Sequence, residues 1–312
     1  MKKFVRILLS LAGVLFLLNV VLDYSFTSLL NHSHNHPYRE WNRITHDSID
    51  ADLVVIGSSR AWVQYSPRVM DSLLGINTYN LGLDGSHVGR QIVKYQVYRH
   101  YQKKKPSILL FNFDYWGNWQ ESDFLRMQYF PYLANPYMRG LLKKQEHFGK
   151  GELCVPMFRY YQQGIRSLME AACGEEMGYK GVWYKGYKGI LGKWDGEKYA
   201  EIEKVRFKPF PVVVEKFDVF MSELQKDGIK VVFVSSPIYI GLTEKLVNLS
   251  EFYDFRKSFA QKYNIPVLDY LYDSLCYDTA YFYNATHLNK TGSELFTVKL
   301  CHDLDSLGVL QQ

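Results

Sequence analysis

The stretch Leu53-Val54-Val55-Ile56-Gly57-Ser58-Ser59-Arg60 decides the fold. Four consecutive apolar residues without polar alternation read as a strand buried on both faces. Such strands belong to parallel sheets covered by helices. The Gly-Ser-Ser that follows suits a tight turn into a helix, since glycine permits unusual dihedrals and serine caps helix starts. Ser59 then stands at the carboxyl edge of the sheet, where open α/β sheets bind ligands.

Outward from this stretch the pattern repeats. Residues 52–59 read as a strand, 67–74 as a helix ended by Gly75, and 76–83 as a second strand. Residues 88–101 are amphipathic and helical, and 107–113 form a third strand introduced by Pro106. The rhythm resumes with a helix over 212–226 closed by Gly228, strands over 229–235 and 266–270, and helices over 244–263 and 290–307. Strands alternating with helices predict an α/β fold with a five-stranded parallel sheet. Residues 115–211 interrupt it and are too long for a structureless loop. This insertion has a helical segment over 159–172. Beyond it lies a stretch rich in Gly, Tyr, Trp and Lys that includes Trp183, Tyr184, Tyr187 and Trp194. Because it leaves the sheet at a carboxyl edge, a cap or substrate platform is expected. Its aromatic rings suit either stacking on sugars or a core of its own.

The N-terminus is of another kind. Lys2, Lys3 and Arg6 precede an apolar run over 7–22, interrupted only by Ser10, Gly13 and Asn19. Counted from Phe4, the run approaches the ~20 residues that span a bilayer as a helix. The basic flank predicts a cytoplasmic N-terminus. The exit, Asn19-Val20-Val21-Leu22-Asp23-Tyr24, lacks the small residues of a cleavage site, so an uncleaved signal anchor is expected. Residues 1–25 are therefore read as a transmembrane anchor, 26–50 as a polar stalk, and 51–312 as one domain outside the cytoplasm, periplasmic or extracellular. In the stalk, His32, His34 and His36 alternate but have no further ligands nearby, which favours a solvated linker over a metal site.

Other signals are bland. The formal net charge of +5 is spread along the chain, and its one short run, Lys103-Lys104-Lys105, suits a solvated helix end. No nucleic-acid motif is present. The four cysteines, Cys154, Cys173, Cys276 and Cys301, form no Cys-x-x-Cys pair, so a zinc or thioredoxin-type site is not supported. Outside the cytoplasm, the near-neighbour disulfides Cys154–Cys173 and Cys276–Cys301 become possible, as do unpaired buried thiols.

Two further segments bear on chemistry. The second strand runs into Asn80-Leu81-Gly82-Leu83-Asp84-Gly85-Ser86, where Gly85 can offer its N–H to an oxyanion or simply make a turn. The late segment Asn284-Ala285-Thr286-His287-Leu288-Asn289 supplies a histidine just before the last helix. A base serving a serine must reach its hydroxyl and be oriented by a third group. Asn284 can orient the ring but, being neutral, steadies an imidazolium less than a carboxylate would. Arg60 is read as a cation for a substrate carboxylate or phosphate, or as a surface charge.

Together these segments resemble the blocks of the SGNH (GDSL-like) hydrolases: the strand-end Gly-x-Ser, the glycine after a second strand, and the late His followed by Leu-Asn and Gly292. The resemblance covers roughly 52–113 and 229–307. It is closest to the membrane-anchored branch similar to polysaccharide O-acetylation and teichoic-acid D-alanylation proteins. It implies a three-layer α/β/α sandwich, with Ser59 as nucleophile and Ser59 and Gly85 as oxyanion donors. It further implies His287 as base, and Asn284 on the family's usual Asp. The third block, Gly-x-Asn-Asp, is not matched; Asn112 and Asn118 are the candidate amide donors near it. No metal or organic cofactor is expected. The implied activity is that of a serine esterase or O-acyltransferase acting on a cell-surface polysaccharide. The alternative is a non-catalytic module that binds glycan or a membrane-bound acyltransferase.

Overall fold

The structure, a computed structural model, describes residues 1–115, 119, 126–145, 148–161, 168–171, 180–197 and 199–310. The chain divides into two compact units: Met1–Asp47 with Leu125–Met177, and Ser48–Phe124 with Gly178–Gln312.

The first unit is helical. Helix α1 (Lys2–Asn31) is long and apolar enough to cross a membrane. Its C-terminal third is packed, with Phe26, Thr27 and Leu30 buried. Helix α2 (Tyr38–His46) follows. The segment expected as a solvated stalk is therefore ordered helix. Tyr38, Trp41 and Ile44 recur at three-residue spacing and are buried at 3%, 0% and 0% exposure. The Trp41 indole N–H donates to Gln128 Oε1 at 2.8 Å, and its ring meets Tyr129 edge-on at 5.5 Å. The polar Asn/His run hides this short apolar face from a reading by composition. His32 stacks on His46, with centroids 6.0 Å apart.

The second unit carries the sheet. Strand β1 (Leu53–Ile56) is followed by α3 (Ser59–Gln64) and α4 (Pro67–Leu74), then β2 (Thr78–Asn80), α5 (Val88–Tyr101) and β3 (Ile108–Asn112). In the first unit the insertion forms a 3-10 stretch, Arg126–Ala134, then α6 (Pro136–Gln145), α7 (Lys150–Cys154) and α8 (Phe158–Tyr161). In the second unit it forms a hairpin, β4 (Gly181–Tyr184) and β5 (Tyr187–Ile190). Among the described residues the insertion is thus helical in its first part and β in its second; of the helix expected over 159–172, residues 162–167 and 172 lie outside them. Lys185 and Gly186 both take positive φ, 44° and 83°, the two-residue turn that suits strand twist. The chain ends with α9 (Pro211–Lys226), β6 (Lys230–Ser235), α10 (Leu249–Tyr263), β7 (Val267–Asp269), the short strands β8 (Phe282–Asn284) and β9 (His287–Leu288), and α11 (Lys290–Ser306).

The sheet has five strands in the order β2-β1-β3-β6-β7, all parallel. Alternate side chains serve opposite faces. Leu53, Val55, Leu110 and Val232 pack with Tyr65, Phe296 and Leu300 from α11 and the end of α3. On the other face Phe111 and Phe113 meet Phe217 of α9 and Phe233, with Trp119 against Phe217 at 5.0 Å. Strand order reverses between β1 and β3, and such switch points form ligand crevices in open α/β sheets. Ser59 follows β1 and Asn112 ends β3, so both flank that crevice.

The expected Cys276–Cys301 disulfide is absent. Both thiols are free and buried, and burial pushes each up to about 12. Cys276 Sγ instead donates to the Tyr270 carbonyl at 3.2 Å. Cys154 is free and exposed, and Cys173 lies outside the described residues.

Candidate active site

The site begins where β1 ends. Ser58 caps α3, its Oγ accepting the Arg60 N–H at 3.3 Å and donating to Asp114 Oδ2 at 2.7 Å. Ser59 is the first helical residue, so its own N–H has no intrahelical acceptor. Arg60 turns inward. Its guanidinium pairs with Asp114 Oδ1 at 2.6 Å, donates to Ser236 Oγ at 3.0 Å, and meets the Ser236 carbonyl more closely still. At 4% exposure Arg60 is neither a surface charge nor within reach of a dissolved substrate, which corrects both readings of it. A buried cation is tolerated only when paired and hydrogen-bonded, and Asp114 with Ser236 supplies both conditions.

The loop after β2 closes on the same helix. A Cβ on Gly82 would lie 2.2 Å from the Trp62 nitrogen, so only glycine lets this loop approach the α3 backbone. Buried Lys94 of α5 donates to the Gly82 carbonyl at 2.9 Å and holds the loop from behind. Gly85 follows in a turn with φ +58°.

The histidine comes from the β8–β9 turn. His287 Nε2 lies 2.8 Å from Ser59 Oγ, across 228 residues of sequence. Its Nδ1 lies 2.9 Å from Asn284 Oδ1 and 2.8 Å from Thr286 Oγ1. The Thr286 backbone N–H donates to Asn284 Oδ1 at 3.0 Å, which fixes the amide with its oxygen toward the ring. Nδ1 must then carry the proton, leaving Nε2 unprotonated to accept from the Ser59 hydroxyl. Burial, then the nearby Arg60 charge, hold His287 down at about 4, against an opposing pull from Asp84. The imidazole is neutral at physiological pH, the state a general base needs.

A wall of rings lies beside it. Tyr283 stacks on His287, with centroids 5.4 Å apart and planes at 23°. Tyr283 and Trp183 pack on a cluster of Trp62, Val63 and Ile190. Trp62 and Trp183 are 5.6 Å apart, with Lys188 Nζ 5.0 Å from the Trp183 ring. Trp183 thus reaches the site's surroundings through Trp62. Its neighbour Tyr184 does not, because adjacent strand residues face opposite ways. Arg68 of α4 lies over the Tyr184 ring at 4.6 Å, and its hydroxyl turns to Asp71 at 3.5 Å.

Asn112 is buried beside the turn that carries Ser59; a Cβ on Gly57 would lie 2.7 Å from Asn112 Cβ. Its Oδ1 accepts the Tyr65 hydroxyl at 2.5 Å, and its Nδ2 has no partner among the described residues. A buried donor left so costs ~1–3 kcal/mol unless a ligand meets it. Asn118 lies outside the described residues.

Sequence reasoning missed Asp114, Thr286, Tyr283 and Asp84. Asp114 carries a usable signal: a carboxylate two residues past a fully buried strand needs a cation, and Arg60 stands at the matching depth after β1. Thr286 and Tyr283 flank the histidine but have no spacing rule to mark them. The effect of Asp84 on His287 depends on how two distant loops meet.

Comparison with known proteins gives a distant likeness. No protein-family profile matches the chain, and no curated protein matches its sequence. Among solved structures, the chain is similar to a protein described as lipolytic and of the G-D-S-L family, from Desulfitobacterium hafniense. That likeness has 16% identity and a TM-score of 0.38, and covers 80% of this chain and 97% of that one. It is also similar to a protein described as an acylhydrolase from Bacteroides fragilis, at 11% identity and TM-score 0.42, covering 88% and 97%.

Proposed function

We propose that the chain is a membrane-anchored serine esterase or O-acyltransferase of the SGNH type. It acts on acyl esters of a cell-surface polysaccharide from outside the cytoplasm. The observation that carries the chemistry is the 2.8 Å contact between Ser59 Oγ and an unprotonated His287 Nε2. In the first half-reaction Nε2 takes the Ser59 proton as Oγ bonds to the ester carbonyl carbon. The oxyanion is met by the Ser59 and Gly85 N–H groups, with Asn112 Nδ2 as the candidate third donor. Collapse breaks the bond to the leaving alkoxide, which takes the proton from His287 and departs. Water or a sugar hydroxyl then attacks the acyl-Ser59 ester with His287 again as base. This frees the serine and yields either a carboxylic acid or a new ester. The half-buried Trp183 and Tyr283 rings support a sugar-bearing substrate, since pyranose faces stack on such rings. The apolar helix α1 supports the anchor, and Lys2, Lys3 and Arg6 in its first two turns support a cytoplasmic N-terminus.

The test uses the full-length, detergent-solubilised chain. A serine-reactive fluorophosphonate should label it and p-nitrophenyl acetate should be turned over. Ser59→Ala should abolish labelling and cut turnover by ~10³-fold or more. Turnover and labelling unchanged in that variant would sink the mechanism.

A second reading is a non-catalytic module binding glycan or a membrane acyltransferase. The neutral Asn284 and the Arg60 charge near His287 favour it, because both disfavour the imidazolium formed during catalysis. A Ser59→Ala chain that still supports polymer acylation in cells would select this reading.

A further inference from the structure

The first unit holds a feature that catalysis does not use: an exposed apolar surface lying against the anchor helix. At 1.5 Å per residue, the 30 residues of α1 exceed the ~30 Å hydrocarbon core of a bilayer. The helix changes character along its length. From Phe4 to Val21 its large apolar side chains are exposed, whereas Phe26 and Leu30 are buried. At the boundary stands Asp23. Its carboxylate pairs with Arg159 at 2.6 Å and accepts the Met157 N–H at 2.8 Å. One turn on, Thr27 Oγ1 meets the Tyr160 hydroxyl at 2.8 Å. Helix α8 is thereby pinned to the flank of α1.

Next to these pins, Val155, Phe158, Tyr161 and Tyr24 are exposed at 52%, 44%, 56% and 75%. Residues 155–161 carry one formal charge, that of Arg159, and Asp23 neutralises it. The Tyr161 hydroxyl donates to Asn19, one turn inside the apolar run from Asp23. Tyr161 therefore lies level with the apolar part of α1. If residues 4–21 sit in lipid, the lateral neighbours at that level are lipid molecules.

We propose that α8, the 155–157 turn before it and the adjoining flank of α1 form a collar. Val155, Phe158, Tyr161 and Tyr24 are its side chains seated in the headgroup–acyl boundary of the bilayer. The partner is the lipid surface itself. Tyrosines with a polar tip and an apolar ring suit that boundary, and so does an apolar patch whose one cation is already paired. The collar makes the anchor a fixed mount for the first unit, with Asp23 as its pin. This inference rests on the reading of α1 as a membrane span.

The test uses the full-length chain with Cys173→Ser, reconstituted in phosphatidylcholine–phosphatidylglycerol vesicles. A polarity-sensitive nitrobenzoxadiazole label is placed on native Cys154, on Phe158→Cys or on Leu11→Cys, the last two in a Cys154→Ser background. Quenching is read with lipids spin-labelled at a shallow or a deep acyl carbon. The collar predicts that labels at 154 and 158 are blue-shifted and quenched more by the shallow than by the deep spin label, and that the label at 11 shows the reverse. Labels at 154 and 158 that stay unquenched while that at 11 is quenched would overturn the collar and leave the anchor standing. A label at 11 that escapes quenching would overturn both. Because the vesicles contain no other protein, a surface made for a protein partner gives the first of these overturning results.

Discussion

The Ser59 turn and the His287 turn meet at 2.8 Å yet are built differently. Ser59 is held by a charged, buried network reaching from Asp114 after β3 to Ser236 after β6. His287 is held by neutral neighbours within four residues, Asn284 and Thr286. The first turn depends on the whole sheet being assembled. The second orients its ring through local contacts, although Phe282 and Leu288 on either side of it are packed into the sheet's core and the Ala285 carbonyl accepts the Tyr239 N–H at 3.0 Å. The difference separates effects on stability from effects on chemistry, and substitutions on either side should show it.

The largest expected effect is on the base side. His287→Ala should lower esterase turnover by ~10³–10⁴-fold while thermal stability changes little, as stopped-assay rates and a melting scan would establish. A large loss of stability instead would mean that the base turn is structural. Next comes the nucleophile side. Asp114→Ala strands the Arg60 charge in the interior and should cost ~3–5 kcal/mol in denaturant unfolding. A loss below ~1 kcal/mol would mean that water reaches the pair, removing the contrast.

Asn284→Asp adds a carboxylate where the imidazolium forms. Turnover should rise about tenfold or more, and the acid limb of the rate profile should move up from about 4 toward the ordinary histidine value. No movement would mean that Asn284 does not act through the ring. In the unaltered chain the neutral base persists as pH falls and is lost only near 4, so activity should survive to about pH 5. Stability runs the other way over part of that range. The unfolded chain protonates this histidine near 6.5 but the folded chain only near 4, so the contribution present above 6.5 is lost as pH falls through that window. His87, held near 3 by burial and then by Arg90 and Lys216, adds to the same trend. Urea midpoints that hold steady from pH 7 to 4.5 would contradict this. The smallest effect is that of Thr286→Val, which removes one of two contacts at Nδ1 and should cost about 1 kcal/mol in kcat/KM.

Much of the second unit was legible in the sequence. The helix over Pro67–Leu74 ends at Gly75 as read, and that over Val88–Tyr101 has the bounds read for it but is buried nearly all round, Arg90, Gln91 and Lys94 included, rather than amphipathic. Strand β1 coincides with its apolar run, Leu53–Ile56, whereas of residues 76–83, read as a strand, Thr78–Asn80 keep strand register with β1 and Leu81 and Leu83 follow as single hydrogen bonds to Val55 and Gly57. Arg60 was misread because an arginine after a strand end looks solvated unless its carboxylate partner, 54 positions on, is known to lie beside it. The stalk was misread because three apolar residues among histidines and asparagines carry little weight until Gln128 and Tyr129 cover them.

The sequence by itself determined the alternation of strand and helix, the apolar N-terminal helix and the residue types that face the sheet's carboxyl edge. These follow from short-range periodicity, which records the face each element must bury. Only the tertiary structure decided that Ser59 and His287 touch, that Arg60 is buried rather than free, and that Trp183 turns toward the site while Tyr184 turns away. Those outcomes depend on packing between segments far apart in the chain, and no local spacing encodes it.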